Sequence, residues 1–277
     1  MSKRDSQTAQ LRDWVLTTAR AGHNVDAIVQ MLQEAGYSAR QSRQIVAKHL
    51  DQPAMEMGVF SPRREGKRTR HPEPPALDIA GHRVDVALAL DEPPLRVLEN
   101  VLTPAECDEL IELARPRLDR SLTVDRAGQH QIDQARTSSG MFFGLGENAF
   151  IKRIEERLAA LVELPADHGE GVQILHYEPG QQYEPHYDWF DPAQPGFATI
   201  TAAGGQRIAS IIIYLNTPAG GGGTHFPHAG VTVTARRGAA VYFAYEGGDK
   251  TSLHAGLPVI KGEKWIATKW LRERPYR

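Results

Sequence analysis

The chain has 277 residues, enough for one large domain and a small one. Its 32 Lys+Arg balance 34 Asp+Glu, so overall charge gives no argument for a nucleic-acid partner, and no apolar run is long enough to cross a bilayer, so no membrane association is expected. Cys107 is the only cysteine, which excludes an intrachain disulfide and a thiolate metal cluster; with a polar start, Met1 to Gln7, that carries no secretory pattern, a reducing, cytoplasmic location is expected.

Residues 7 to 50 predict three short helices, a small domain spanning 1–50. Leu11, Val15 and Leu16, with Trp14 beside them, set the first, which Gly22 ends. Asn24 is the expected N-cap of the second, with Ala27, Ile28, Met31 and Leu32, and Ser38 that of the third, with Ile45, Val46 and Leu50. With Ala35-Gly36-Tyr37 between two amphipathic helices, this pattern is similar to ubiquitin-associated-like three-helix modules; a small packing unit with no ligand is the first reading, and a protein partner, which the resemblance implies, is the second. Residues 51–76 read as a linker, because Pro53, Pro62, Pro72, Pro74 and Pro75 exclude regular structure. Its basic cluster, Arg63 to His71, reads as a solvated connector rather than a nucleic-acid contact, since no aromatic side chains are interleaved.

A second domain is predicted over 77–277. Val84, Val86, Leu88 and Leu90 alternate as in a half-buried strand, and Leu95 to Leu102 follow as another strand-like run. Thr103-Pro104-Ala105-Glu106 is a capping box with proline at the first helical position, and the helix after it presents Cys107, Leu110, Ile111 and Ala114. A further helix is expected from about Glu147 through Phe150, Ile154, Leu158 and Leu161 to Pro165. Beyond Pro165 the pattern changes to short strands and glycine turns: Val172 to Tyr177, the apolar run Ile208 to Leu215, Gly220 to Gly223, Val231 to Thr234, Ala239 to Tyr245, Ser252 to Gly256 and Trp265 to Leu271. The expected class is α+β, a double-stranded β-helix (jelly roll) over about 166–277 with helices covering one sheet.

Chemistry concentrates in His186-Tyr187-Asp188. In an extended strand the side-chain period is two, so His186 and Asp188 point to one side, and His254 would join them from a strand folded opposite. Two imidazoles and a carboxylate form a three-point site with open positions, which suits non-haem Fe(II) in an oxygenase. A His-x-Asp pair arises readily by chance among eleven histidines, so the downstream residues carry the reading. In Lys264 to Trp270, period two puts Lys264, Ile266, Thr268 and Trp270 on one face. Ile266 argues that this face is inside, and a buried ammonium needs an anion, which a 2-oxoglutarate carboxylate would supply. An internal acid as partner, or an inverted face with Lys269 buried, are the competing readings. Tyr177 could add a hydroxyl to the same carboxylate. His225 and His228, after the glycine turn, are competing ligand candidates, read as rim or surface histidines, with His225 lining the cavity as a minor alternative.

Several segments in order resemble the prolyl 4-hydroxylases, members of the Fe(II)- and 2-oxoglutarate-dependent dioxygenases: Arg136-Thr137-Ser138-Ser139-Gly140-Met141-Phe142; Gln173 to Tyr177 and Gln182 to Asp188; Gly205-Gln206-Arg207 leading into Tyr214-Leu215-Asn216; and His254-Ala255-Gly256 with Gly262-Glu263-Lys264-Trp265. The resemblance runs from about Leu95 to Arg277. It implies that His186, Asp188 and His254 bind iron, that Lys264 and Tyr177, with Thr268 on the same face, hold 2-oxoglutarate, and that Arg136, Ser138, Glu170, Tyr183, Arg207 and Trp270 lie along a groove for a proline-containing peptide. It also implies O2 as cosubstrate, succinate and CO2 as coproducts, and ascorbate as a reductant of oxidised iron. Asp188 favours hydroxylation, because relatives that halogenate lack this carboxylate. One departure stands out: many relatives carry histidine two residues after the tryptophan, where this chain has Arg272. The alternatives are a hydroxylase of a free amino acid or small metabolite, and a non-catalytic binding module that keeps a metal. A nucleic-acid demethylase is disfavoured, since that branch usually anchors its cosubstrate with arginine.

Overall fold

The computed structural model describes residues 3–21, 23, 25–50, 71–73, 75–120, 122–124, 130–132, 137–245 and 248–277. The chain divides into two compact units, Met1–Gly66 and Lys67–Arg277. Most of the expected linker, with the caps expected at Gly22 and Asn24, lies outside the described residues. The first unit holds helices Lys3–Arg20, Val25–Glu34 and Ala39–Leu50. They bury Val15, Ile28, Val29, Leu32 and Val46 against one another. Ser38 caps the third as expected: its hydroxyl accepts from Gln41 N–H while Gln41 accepts from Ser38 N–H.

In the second unit, nine of the described strands form one sheet, in the order Ala76–Ile79, His82–Asp91, Pro94–Glu99, Ala240–Ala244, Arg207–Tyr214, Lys264–Arg272, Gln173–Tyr177, Ser139–Phe142 and Asp119–Arg120. A smaller sheet runs Val231–Val233, Thr224–Phe226, His254–Gly256, Tyr183–His186. Together they make the expected jelly-roll core, which does not close into a barrel. The run expected from Leu95 to Leu102 stops as a strand at Glu99, because Asn100 adopts φ 59° and turns the chain into the capped helix. The alternation expected over Val84 to Leu90 is interrupted by a register shift between Val86 and Leu88, which leaves Leu88 exposed.

The central strands are buried along nearly their whole length because both faces of the large sheet are covered. On Arg207–Tyr214, Ala209, Ile211 and Ile213 face helices Pro104–Ala114 and Ala149–Leu161, where Cys107, Leu110, Ile154 and Leu158 pack on them. Ile212 and Tyr214 face the small sheet, alongside Phe226, Val241, Phe243 and Ile266. On Lys264–Arg272, the odd positions Trp265, Ala267 and Leu271 join the helix side. The fourth odd position, Lys269, is 1% exposed and passes the bare backbone of Gly169, where a Cβ would sit 2.2 Å from its Cε. Its ammonium meets Glu155 on the covering helix at 2.7 Å, and the second oxygen of Glu155 accepts from Gly146 N–H. Lys269→Met therefore leaves a buried carboxylate without its counter-charge. The expected loss is about 3–5 kcal/mol of unfolding free energy, read from urea denaturation. An unchanged midpoint would show that the pair contributes nothing.

Candidate active site

The small sheet brings the two imidazoles together. Strands Tyr183–His186 and His254–Gly256 pair antiparallel, with His254 directly across from His186. His254 thus comes, as expected, from a second strand folded opposite, and that strand is the direct ladder partner of the one that carries His186. Asp188 departs from the expected strand pairing: the strand ends at His186 and Asp188 sits in the bend that follows. The chain turn nevertheless delivers its carboxylate to the same point. Asp188 Oδ1 lies 3.6 Å from His186 Nε2, and Oδ2 lies 3.7 Å from His254 Nε2. Each Nδ1 is taken by a main-chain carbonyl, Glu184 at 2.8 Å and Ser252 at 3.1 Å. A ring whose Nδ1–H donates to a carbonyl presents the Nε2 lone pair outward, the arrangement that fixes a metal-binding tautomer.

Asp188 is 6% exposed and His254 2%. Burial alone would push the Asp188 carboxyl up, but His254, His186, Arg207 and the Ser210 hydroxyl more than offset it and hold the pKa at about 2. It is a carboxylate at any working pH. Donor atoms of the three side chains lie within 4.8 Å of one another, a set that could hold a metal ion. Two neutral nitrogens and one anionic oxygen, with no thiolate, fit a divalent first-row metal with open positions.

A pocket runs from this triad between the two sheets, lined by Tyr177, Tyr183, Thr224, Lys264, Thr268 and Trp270 among others. The period-two expectation for Lys264, Ile266, Thr268 and Trp270 holds, since all four line it. Lys264 pairs across the ladder with Tyr177, and its Nζ lies 5.2 Å from the centre of that ring. It is 2% exposed, and no carboxylate pairs with it among the described residues. Burial without a counter-ion lowers its pKa to about 8. Glycine prepares its channel: a Cβ on Gly222 (φ +73°) would stand 3.2 Å from Lys264 Cδ. Both competing readings of the strand resolve here, for Lys269 is buried too, but on the other face and with Glu155.

Thr224 is a pocket residue the sequence reading missed. It is 2% exposed, and its hydroxyl accepts a hydrogen bond from the buried Tyr214 hydroxyl at 2.8 Å. Its signal was position, one residue before His225 and two before Phe226 on a strand. The same alternation turns His225 away: it is half-buried, its Nδ1 is 2.9 Å from Thr232 Oγ1, and it is absent from the pocket lining, while His228 is exposed.

The residues expected along a peptide groove divide. Tyr183 and Trp270 line the pocket, with Tyr183 stacked on His186 at 3.6 Å between ring centres. Phe142, half exposed, lies 6.3 Å from Trp270. Glu170 and Arg207 do not line it. Arg207 donates twice to Glu170, at 2.6 and 2.9 Å, and once to the Asp188 main-chain carbonyl at 3.3 Å, and its guanidinium lies 3.9 Å from the Trp270 ring centre. Arg272, 3% exposed, approaches the same carboxylate at 2.8 Å. Burial would raise Glu170, yet the two guanidiniums hold it below the ordinary carboxylate range. This cluster is an internal brace behind Trp270, because a buried carboxylate requires its counter-charges close by. Ser138 is fully buried and outside the pocket lining, and Arg136 lies outside the described residues.

The profile of the 2OG-Fe(II) oxygenase superfamily matches residues 172–272, the span that holds the triad and Lys264. Probable prolyl 4-hydroxylase 10 of Arabidopsis thaliana is 41% identical over 210 residues, covering 67% of this chain and 71% of the relative. Prolyl 4-hydroxylase 1 of the same plant is 39% identical over 202 residues, covering 66% and 70%. Among solved structures, the viral collagen prolyl hydroxylase of Paramecium Bursaria Chlorella virus-1 in its 2OG complex superposes with a TM-score of 0.52 at 30% identity, covering 64% of this chain and 95% of that one. Shared identity at this level over most of each relative's length, on the same fold, places the chain in the prolyl 4-hydroxylase family of Fe(II)- and 2-oxoglutarate-dependent oxygenases.

Proposed function

We propose that the protein hydroxylates proline within a peptide or protein, consuming 2-oxoglutarate and O2 and releasing succinate and CO2, with Fe(II) held by His186, Asp188 and His254. The observation that carries this reading is the meeting, in one pocket, of a His-Asp-His donor set and a buried ammonium that has no acid partner among the described residues. Bound Fe(II) would supply oxygen activation and the oxidative decarboxylation of the cosubstrate. The chain supplies the rest. Lys264 grips the distal carboxylate of 2-oxoglutarate, with hydroxyls of Tyr177 and Thr268 on the same wall. The two sheets exclude water around that ion pair and so strengthen it. Tyr183 and Trp270 offer flat aromatic faces beside the triad, suited to a pyrrolidine ring in an extended, polyproline-like segment. The Glu170–Arg207 brace holds Trp270 from behind. Ascorbate as a rescuing reductant belongs to the same proposal. So does a cytoplasmic site of action, for which the support is the sole, buried cysteine.

The test is peptide-dependent succinate formation against a panel of proline-rich peptides, with mass spectrometry of the products. The expected result is one added oxygen on proline, in step with succinate. Oxygen added only to a free amino acid, or decarboxylation that no peptide stimulates, overturns the peptidyl-proline reading.

A further inference from the structure

We infer that Ser210 and Tyr245 form a hydroxyl chain that commits one oxygen of Asp188 to the protein and leaves the other to the metal, an inference that rests on the metal-binding reading above. Ser210 is a polar residue in the middle of the apolar strand Arg207–Tyr214, on the inward face with Ile212 and Tyr214. It is fully buried, and Tyr245 is 5% exposed. Ser210 Oγ donates to Asp188 Oδ2 at 2.5 Å and lies 2.9 Å from Tyr245 Oη. The proton positions follow from chemistry. A carboxylate has only lone pairs, so the single serine proton must point at Oδ2. The serine oxygen then accepts, and Tyr245 is the donor at the far end. Oδ1 takes no hydrogen bond among the described residues and lies 3.6 Å from His186 Nε2.

The sheet explains why such a device is needed. His186 and His254 are held by ladder pairing and by carbonyls on their Nδ1 atoms. Asp188 lies past the strand end, where no ladder holds it. Two contacts from the neighbouring large sheet take over. Arg207 Nη1 holds the Asp188 main-chain carbonyl, and Ser210 holds the carboxylate three residues further along the same strand. Tyr245 is itself fixed, since its N–H donates to Ile208 O at 3.1 Å. Ser210 and Tyr245 are positioning residues: they act through Asp188 and touch neither substrate nor cosubstrate.

The experiment is an anaerobic titration of the full chain with Co(II), read from its visible d–d absorption. Ser210→Ala is expected to weaken Co(II) binding about 10- to 100-fold, the usual effect of removing a group that orients a ligand. It should also change the intensity of the Co(II) bands, because a freed carboxylate can bring both oxygens to the metal. Tyr245→Phe, which removes a single oxygen atom, should shift the same bands with a smaller loss, about three- to tenfold on that scale. Ser210→Thr, which keeps the hydroxyl, should restore binding and spectrum. A purely structural role would lower the melting temperature of both variants and leave affinity and spectrum as they are, and that result overturns the inference. Should Ser210→Ala fail to fold, Tyr245→Phe decides alone by the same criterion. His186→Ala separates the two levels of the argument. If it abolishes Co(II) binding while Ser210→Ala and Tyr245→Phe do not weaken it, only the hydroxyl chain is wrong. If His186→Ala binds as well as the wild type, the metal site is wrong and this inference falls with it.

Discussion

Asp188→Ala is expected to abolish iron-dependent succinate formation, lowering turnover at least about a thousandfold, or roughly 4 kcal/mol at the barrier. The substitution removes the one anionic donor of the triad and leaves two neutral imidazoles, which are too few and too weak to hold a divalent ion in place. The fold should survive the change. Arg207 keeps both hydrogen bonds to Glu170 and its contact with the Asp188 main-chain carbonyl, which alanine retains. The measurement is succinate release at saturating iron and 2-oxoglutarate, with circular dichroism confirming that the variant is folded. Normal turnover in a folded variant would show that Asp188 is no ligand, and the assignment of His186 and His254 would lose its geometric basis.

Lys264→Ala should act on the cosubstrate rather than on the metal. A dianion entering the pocket would bury its distal carboxylate with no counter-charge, and truncating one partner of such a buried pair costs about 2–5 kcal/mol, a loss of roughly 30-fold or more in 2-oxoglutarate affinity. Binding of Co(II) in the absence of 2-oxoglutarate should change little. The pH dependence of the wild type has a definite sign. In the empty pocket burial lowers the Lys264 pKa to about 8, so the ammonium is present below that pH and lost above it. An arriving carboxylate restores the charged form. Binding above pH 8 therefore takes up a proton, and affinity should fall toward about tenfold per pH unit there while staying flat below. Calorimetry in buffers of different ionisation enthalpy measures that uptake directly. A flat affinity from pH 7 to 10, or a Lys264→Ala variant with unchanged KM for 2-oxoglutarate, would remove Lys264 from the site.

These expectations were legible to different degrees in the chain itself. The strand Lys264–Arg272 is the clearest case. Its period of two was enough to put Lys264, Thr268 and Trp270 on one wall, because side-chain direction in a strand is a local property of the backbone. The choice between two buried lysines was not local. Lys264 and Lys269 sit five residues apart and both are buried, and only the covering helix, which carries Glu155, makes one an internal ion pair and leaves the other for a ligand. Glu170 and Arg207 show the same limit from the other side. The family resemblance put them along a groove, whereas packing turns them onto each other and onto Arg272 behind Trp270. Ser210 carried a visible signal, a hydroxyl in the middle of an isoleucine-rich strand, but its partner lies twenty-two positions earlier and could not be named without the fold.

The sequence by itself determined the class of fold and the order of its strands along the chain, and it named His186, Asp188 and His254 as ligand candidates. Fold class and strand order follow from spacing, turn chemistry and alternation over a few residues, whereas the ligand candidates stood on several family-like segments read together, since a His-x-Asp pair alone arises readily by chance. Tertiary structure alone decided that His254 stands beside His186 in the same sheet, that Asp188 is held from outside its own strand, and which charges are spent on one another. Those outcomes are set by contacts between segments far apart in the chain. Whether a buried charge is satisfied within the protein or left to bind a ligand depends on what lies a few ångströms away in space, and local sequence does not carry that information.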